Sequence, residues 1–220
     1  MNTINSSFRI KVNEETVYLP LLSFFCFTLL IVRMLYTNTF EYRFMGVNLM
    51  LAWLPYIFSL AIMKIQKGKR TIQQFILFFL WLIFFPNAAY MITDIYHLSE
   101  FQSMPMWYDL IMLLSFAWCG LLLGFYSLKK IHNRYVENNK PVFNIAVIFL
   151  FFFTCGIGIY FGRYARWNSW EIITQPANLF NQFFAIISNT YNLASMISIG
   201  ILFGIFLTLI YVKLFSIRLR

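Results

Sequence analysis

The sequence predicts an all-α integral membrane protein, a helical bundle of about six transmembrane helices with an interfacial amphipathic helix on the outer face. The 220 residues are 60% hydrophobic and 11% charged, whereas soluble domains are about 45–50% apolar and roughly 25% charged. Aromatic residues make up 21% of the chain, more than a soluble fold of this size can bury. Apolar runs of the length that a helix needs to cross a bilayer recur along the chain.

Six apolar runs qualify as spans, and they lie at 17–36, 44–63, 72–90, 108–128, 142–162 and 193–212. Pro86 lies inside the third run, where a missing backbone donor is expected to interrupt the helix. Residues 1–16 and 213–220 are expected to form short tails. The first sixteen residues are polar and charged, so we expect no cleavable signal peptide.

Lysine and arginine positions predict the orientation. The stretches 64–70, 129–140 and 213–220 are basic and are separated by pairs of spans, so they share one side of the membrane. Thirteen of the 17 basic residues then lie on that side, which the positive-inside rule assigns to the cytoplasm together with both termini. Basic residues in short clusters between long apolar runs also argue against nucleic-acid binding, which favours a basic stripe on a soluble module. His132, in the second of these stretches, is expected to be solvated.

The 41 residues from 172 to 212 carry no charge, which is enough for two spans. In the first half, however, amide and hydroxyl side chains share one helical face, away from Phe180, Phe183 and Phe184, and Pro176 suits a first helical turn. We therefore predict an amphipathic helix near 176–192 that lies in the outer interface. A seventh span would also place the basic tail outside.

Seven of the nine glycines lie in the last three spans, and six of them form GxxxG pairs. The pairs are Gly120/Gly124, Gly158/Gly162 and Gly200/Gly204. Small residues four apart let helix backbones approach closely, so we expect these spans to form one tightly packed bundle. Association of two chains through the same faces is the alternative.

Polar residues follow Pro86 at the end of the third span. If the helix resumes there, Asn87, Tyr90, Asp94 and His97 share one face, at spacings of three, four and three. Polar groups at membrane depth are costly without a partner. Three explanations stay open: contact with interfacial water, a binding or reactive site, and an internal hydrogen-bond network.

A second polar stretch follows the fifth span, where two arginines lie on the outer side against the charge bias. The candidate ligand-binding residues from both stretches are Asn87, Tyr90, Arg163, Arg166, Trp167, Asn168 and Trp170. Tryptophans are typical of membrane interfaces, and arginine binds phosphate or carboxylate bidentately. The alternative is that the arginines form ion pairs with nearby carboxylates and fix the loops.

The candidate catalytic residues are Asp94, His97, Asp109 and Glu171. With the two arginines, they are predicted to gather at one membrane depth. Asp109 also has a simpler explanation, since a carboxylate is stabilised in the first turn of a helix. One histidine with carboxylates is a poor zinc set, and we predict no metal and no cofactor. An acid–base pair of Asp94 and His97, with Asp109 and Glu171 as ligands of a divalent ion, would suit a hydrolase or transferase.

Several short motifs occur together between about residues 75 and 175. They are Phe85-Pro-Asn-Ala-Ala-Tyr90, Thr93-Asp94 with His97-Leu98, Tyr108-Asp109, Trp118 with Gly120, and Gly162-Arg163 with Arg166-Trp-Asn-Ser-Trp-Glu171. In these motifs the chain resembles a family of bacterial multi-span membrane proteins known only as a domain of unknown function. The resemblance implies a multi-pass protein of the bacterial cytoplasmic (plasma) membrane, and it implies no reaction.

The leading functional hypothesis is binding or transport of an anionic or amphiphilic, lipid-like ligand at the outer polar patch. The expected partners are therefore the lipid bilayer and an anionic lipid or small molecule. The alternative is the membrane-embedded hydrolase or transferase described above, which we favour less because no residue set is diagnostic of catalysis. A vitamin-uptake subunit ranks last, because the first span lacks the small-residue spacing typical of such subunits.

Overall fold

The computed structural model describes residues 14–66, 71–101, 103–136, 140–167 and 174–215. Within these ranges the chain forms seven α-helices and no strand. They are α1 (Glu14–Thr37), α2 (Arg43–Lys64), α3 (Ile72–Tyr90), α4 (Met106–Tyr135), α5 (Pro141–Arg163), α6 (Pro176–Ser188) and α7 (Thr190–Leu214), with a 3₁₀ segment at Met91–Ser99. All but α6 are long and apolar enough to cross a membrane. The predicted all-α membrane bundle is confirmed.

Helix α4 lies at the centre of the bundle. It packs against α1, α2 and α3, and 67% of its apolar window is buried, compared with 28–44% in the other spans. Helix α3 packs against both α2 and α5, while α5 forms its most extensive contact with α7. Because α3 lies between α2 and α5, those two helices become the walls of a cleft whose floor is α3.

The fourth helix is longer than the apolar run that predicts it. Helix α4 continues to Tyr135, beyond the expected end at 128, because its basic last turns still find partners. Lys130 pairs with Glu15, and Arg134 donates from Nη2 to the carbonyl of Ile65 at 2.8 Å. Long basic side chains reach polar groups while their stems stay on apolar surface. The prediction that His132 is solvated is wrong, since it is 5% exposed on this helix.

The expected interruption at Pro86 is also wrong, because α3 runs through the proline to Tyr90. Proline is tolerated in membrane helices when neighbouring helices pack around the altered backbone. A Cβ added at Gly158 of α5 would lie 2.6 Å from Cβ of Pro86, so the proline ring fits against a bare backbone there. The change of conformation comes at Met91, where the 3₁₀ segment begins.

The uncharged segment after residue 174 divides at Asn189. Helix α6 ends at Ser188, earlier than the expected 192, and α7 begins at Thr190. The side-chain oxygen of Asn189 accepts from the backbone N–H groups of Tyr191 and Asn192 at 3.0 and 3.1 Å. An asparagine in this position is a strong start signal for the following helix.

The glycine pairs form contacts within the chain. A Cβ at Gly120 would lie 2.7 Å from the carbonyl oxygen of Ala88, and one at Gly156 would lie 2.7 Å from Cα of Gly200. Gly204 likewise faces an aromatic ring of α5. These faces let α3, α4, α5 and α7 approach closely, as expected for small residues in membrane helices. Association of two chains through them stays a prediction.

Candidate functional site

One end of the bundle, here called the polar end, carries the loops 38–42, 103–105 and 164–167 and the 3₁₀ segment. The 3₁₀ geometry has about three residues per turn, so Asp94 and His97 lie on the same side of the segment. The last turn of α5 brings Arg163 to them. Asp94, His97 and Arg163, which the sequence places at one membrane depth, are therefore in contact.

Arg163 directs its guanidinium group toward the protein. Its Nη1 donates to Nε2 of His97 at 2.8 Å, and its Nη2 donates to the Thr93 carbonyl and to Oδ1 of Asp94, the latter at 3.3 Å. The guanidinium carbon also lies 5.4 Å from the centre of the Tyr90 ring. Both Nη groups are thus engaged, while Nε is buried without a partner among the described residues. This arrangement matches the ion-pair alternative rather than an open clamp for an anion.

Asp94 is 1% exposed, and both of its oxygens have partners. Oδ2 accepts from Nδ2 of Asn48 on α2 at 2.9 Å, opposite the contact with Arg163. Sequence reasoning missed Asn48. The available signal was a lone amide in an otherwise apolar span, since such a group needs a partner at membrane depth.

The contacts of His97 indicate its tautomer. Nε2 receives a donor from Arg163, so it acts as an acceptor, and Nδ1 lies 2.6 Å from Oε2 of Glu100. A neutral imidazole with its proton on Nδ1 satisfies both contacts. The basic nitrogen is therefore already occupied, and this geometry does not leave His97 open to accept a proton from a ligand.

Asp109 lies at the same end of the bundle as Asp94 but belongs to a separate ion-pair cluster. Arg33 on α1 is fully buried and donates from Nε and Nη2 to the two oxygens of Asp109, at 2.7 and 3.2 Å. Its Nη1 lies 3.0 Å from Oε2 of Glu41, and Ser103 accepts from Nη2 at 3.1 Å. The position of Asp109 is set by helix packing between α1 and α4, which a linear pattern does not report.

Two groups of this second cluster lie in the loop before α2, and their pKa values shift in opposite directions. The Ser103 hydroxyl and the Arg33 guanidinium hold the pKa of Glu41 below its usual range. Burial raises the pKa of Tyr42 to about 12. Tyr42 also donates to the carbonyl of His97 at 2.7 Å, and Arg33 lies 4.5 Å from the centre of its ring. The tyrosine therefore joins the two clusters while each keeps its own ion pairs.

A cleft of about 550 Å³ opens between α2, α3 and α5 beside the first cluster. Along α3 it extends from Tyr90 to Leu82, a rise of about 12 Å over eight steps of 1.5 Å. Its polar-end lining comprises Asn48, Asn87, Tyr90, Asp94, His97 and Trp167. The deeper part, toward the middle of the spans, is lined mainly by aliphatic side chains. The space is thus amphipathic along its length.

Trp167, just after α5, lines the mouth of the cleft at the polar end. Trp167 stacks on Phe161 with ring centres 4.3 Å apart, and its Nε1 donates to Oε1 of Gln182 on α6 at 2.6 Å. Arg166 has φ 57° and is exposed, and it forms no ion pair with any other residue that the structure describes. Three predicted site residues, Asn168, Trp170 and Glu171, lie outside the described residues.

The metal-assisted chemistry considered above finds no support here. No group of three or more His, Cys, Asp or Glu side chains that could hold a metal occurs within the described ranges. Asp94 and Asp109, which that mechanism needs in one pocket, are paired to different arginines. The hydroxyl of Thr154, which also lines the cleft, donates to the Phe151 carbonyl at 2.8 Å. We therefore find no activated nucleophile in the described part of the cleft.

Comparison with known proteins identifies one family. The model of a family described as "Protein of unknown function (DUF1361)" matches residues 47–210. The match extends from α2 to the last turns of α7, so it includes both walls and the floor of the cleft. No curated protein and no solved structure matches the chain.

Proposed function

The chain belongs to this DUF1361 family of multi-span membrane proteins, and we propose that it binds an amphiphilic, lipid-like molecule in the cleft between α2, α3 and α5. The observation that supports the proposal is the polarity gradient of the lining. Amide, hydroxyl, carboxylate and imidazole groups lie at the polar end, and aliphatic side chains lie deeper. A headgroup at the polar end and an acyl chain in the deeper, aliphatic part would match this gradient. Binding sites typically combine an apolar lining with a few placed polar groups.

The lysine and arginine bias orients the site. The end opposite the cleft carries Lys64, Lys130, Lys140 and Lys213 near the ends of their helices, and the positive-inside rule assigns such residues to the cytoplasm. The polar end would then face outward, in a bacterial plasma membrane with both termini inside. Helix α6, whose side chains are mostly exposed, includes Phe180 at 63% exposure, which suits a position in the outer interface.

An anionic headgroup would meet Arg166 rather than Arg163. The two Nη groups of Arg163 donate to Asp94, His97 and the backbone, so its role is to position the carboxylate and the imidazole. Arg166 is exposed beside Trp167, which lines the mouth of the cleft. An exposed guanidinium next to an interfacial tryptophan suits a lipid phosphate. Transport of the bound molecule between leaflets would be a further step of the same proposal.

The second candidate, a membrane hydrolase or transferase, rests on the presence of both Asp94 and His97 in the cleft lining. Its acid–base pair would need to exchange the contacts with Asn48, Arg163 and Glu100 for contacts with substrate. We place it second because binding alone needs no such exchange.

Cleft-filling variants test the binding proposal. Leu51→Trp places an indole in the cleft, whereas Met50→Trp places it on the neighbouring lipid-facing position, where Met50 is 64% exposed. Native mass spectrometry of purified protein would measure retained phosphatidylglycerol and phosphatidylcholine with identical acyl chains. We expect Leu51→Trp to weaken both lipids about tenfold, a change of roughly 1.4 kcal/mol, and Met50→Trp to leave both unchanged.

The charge of the headgroup is tested by Arg166→Gln. We expect this variant to weaken phosphatidylglycerol several-fold and phosphatidylcholine little, since only the first carries a net negative charge. If Leu51→Trp retained each lipid as strongly as the wild type does, binding in the cleft would be contradicted. Equal loss of both lipids in Arg166→Gln would contradict its role as an anion contact.

A further inference from the structure

A second cavity, of about 810 Å³, lies between the ends of α5, α6 and α7. It shares no lining residue with the cleft. Seven of its twelve lining residues carry an uncharged hydrogen-bonding group: Tyr160, Tyr164, Gln182, Tyr191, Asn192, Ser195 and Ser198. The remaining lining residues are alanine and isoleucine, and no charged side chain is among the described residues that line it. Its chemistry therefore differs from that of the cleft, where an ion pair lies at one end.

The polar groups on α7 recur every three residues within a membrane-spanning helix. Asn192, Ser195 and Ser198 follow one another toward the middle of the span, all on the side that faces the cavity. Polar side chains inside a membrane are costly unless they meet a partner, and they commonly mark functional positions. The spacing of three therefore forms a row of amide and hydroxyl side chains along one side of the cavity.

The two serine hydroxyls on this row differ from those of three hydroxyl residues in the first and fourth spans. Ser23, Thr28 and Ser115 each donate to the carbonyl four residues back, at 2.7–2.9 Å. Among the described residues, neither Ser195 nor Ser198 has such a bond. Both residues line the cavity, so their hydroxyls are available there to a bound molecule.

Three tyrosines line the cavity: Tyr160 and Tyr164 at the end of α5 and just after it, and Tyr191 at the start of α7. The rings of Tyr160 and Tyr164 are stacked with centres 5.3 Å apart and an interplanar angle of 26°. Tyr160 is 6% exposed, whereas Tyr164 and Tyr191 are 62% and 79% exposed. A buried ring thus anchors a more exposed one. An aromatic face in the same cavity as hydroxyl and amide groups can pack against the C–H face of a sugar while its hydroxyls are hydrogen-bonded.

We propose that this cavity binds an uncharged polyhydroxylated group, such as a glycosyl moiety. The group could belong to the headgroup of a glycolipid or to a free sugar, since both present the same hydroxyl pattern. The depth of Ser198 in the span favours a molecule that enters from the membrane. The proposal does not depend on lipid binding in the cleft, because the two cavities have separate linings.

The experiment uses the full chain purified in an oxyethylene detergent, which contains no sugar. Native mass spectrometry would compare retention of a monoglucosyl diacylglycerol with that of diacylglycerol of the same acyl chains, and isothermal titration would measure free glucose and maltose. We expect the glucosyl lipid to bind at least tenfold more tightly than diacylglycerol. Free-sugar binding without glucosyl-lipid preference would identify a soluble sugar as the source.

The matched variants separate the cavity from general lipid contact. The double variant Ser195→Val/Ser198→Val removes both cavity hydroxyls, whereas Ser115→Val removes a backbone-bonded hydroxyl on α4 that lines neither cavity. We expect the double variant to abolish the preference and Ser115→Val to keep it. If the double variant does not fold, Tyr164→Leu serves instead.

Two results would overturn the proposal. One is equal retention of the glucosyl lipid and diacylglycerol by the wild type, with no binding of free sugar. The other is a preference that survives in the folded cavity variants. The cleft variant Leu51→Trp should leave the glucosyl preference unchanged, so failure of cleft binding and failure of this inference are distinguishable.

Discussion

Replacement of Asp109 by asparagine tests whether the buried Arg33 cluster stabilises the fold. Arg33 is 0% exposed, and two of its nitrogens donate to the two oxygens of Asp109. Asparagine offers one acceptor oxygen and no charge, so the guanidinium loses its main partner and stays buried. Glu41 keeps its contact at 3.0 Å, which limits the loss.

The magnitude follows from the cost of an unpaired buried charge. Removal of one partner of a buried ion pair costs about 3–5 kcal/mol. Because Glu41 remains beside Arg33, we expect the lower value, about 3 kcal/mol. In a chain of this size, 1 kcal/mol shifts the melting temperature by about 2–4 °C. Asp109→Asn should therefore lower the Tm by about 6–12 °C.

The assay is thermal unfolding in detergent micelles, followed by circular dichroism. The double variant Arg33→Met/Asp109→Leu is the companion measurement, because removal of both charges often leaves stability unchanged when apolar groups of similar volume replace them. We expect its Tm to lie within about 3 °C of the wild type. A loss below about 2 °C in Asp109→Asn, or an equally large loss in the double variant, would refute the reasoning.

Three further outcomes are expected. Gly158→Ala should cost about 1–3 kcal/mol, because its Cβ would lie 2.6 Å from Pro86, while Gly46→Ala, at 3.3 Å from a ring edge, should cost less when both are unfolded chemically. The lowered pKa of Glu41 gives stability that is present above its ordinary value of 4.5 and lost as the pH falls below it; Tm measured from pH 6 to 3 should fall less steeply in Glu41→Gln than in the wild type. Asn189→Ala should cost about 1 kcal/mol and Asn189→Asp little, since the aspartate retains an oxygen acceptor for the first N–H groups of α7.

Hydropathy predicts the number of spans well because the bilayer acts on each segment separately. Each span must supply about 20 apolar residues whatever its neighbours are. Helix ends are less predictable, because they depend on partners elsewhere in the chain. Arg134 extends α4 by reaching the carbonyl of Ile65, and Pro86 stays in α3 because Gly158 gives it room. Neither partner can be identified from the local pattern.

Part of the candidate site is also predictable, because it depends on local sequence features. The period of the segment after Pro86 places Asp94 and His97 on one side, and the charge bias singles out Arg163. The partners Asn48 and Arg33 are not predictable this way, because they lie on helices whose packing order is set by long-range contacts. Each is nevertheless a single strongly polar side chain in an apolar span, and such residues need partners.

The two ion-pair clusters determine which arginine can take part in recognition. Arg33 and Arg163 both direct their donors into the protein, toward Asp109 and Asp94 respectively, so their charges are neutralised before any ligand arrives. Arg166, exposed beside Trp167, forms no such pair with a residue that the structure describes. Substitutions of the two paired arginines should therefore lower stability and ligand retention together, whereas substitution of Arg166 should change retention alone. A variant of Arg163 that keeps its stability and loses only an anionic lipid would require a different arrangement of the polar end.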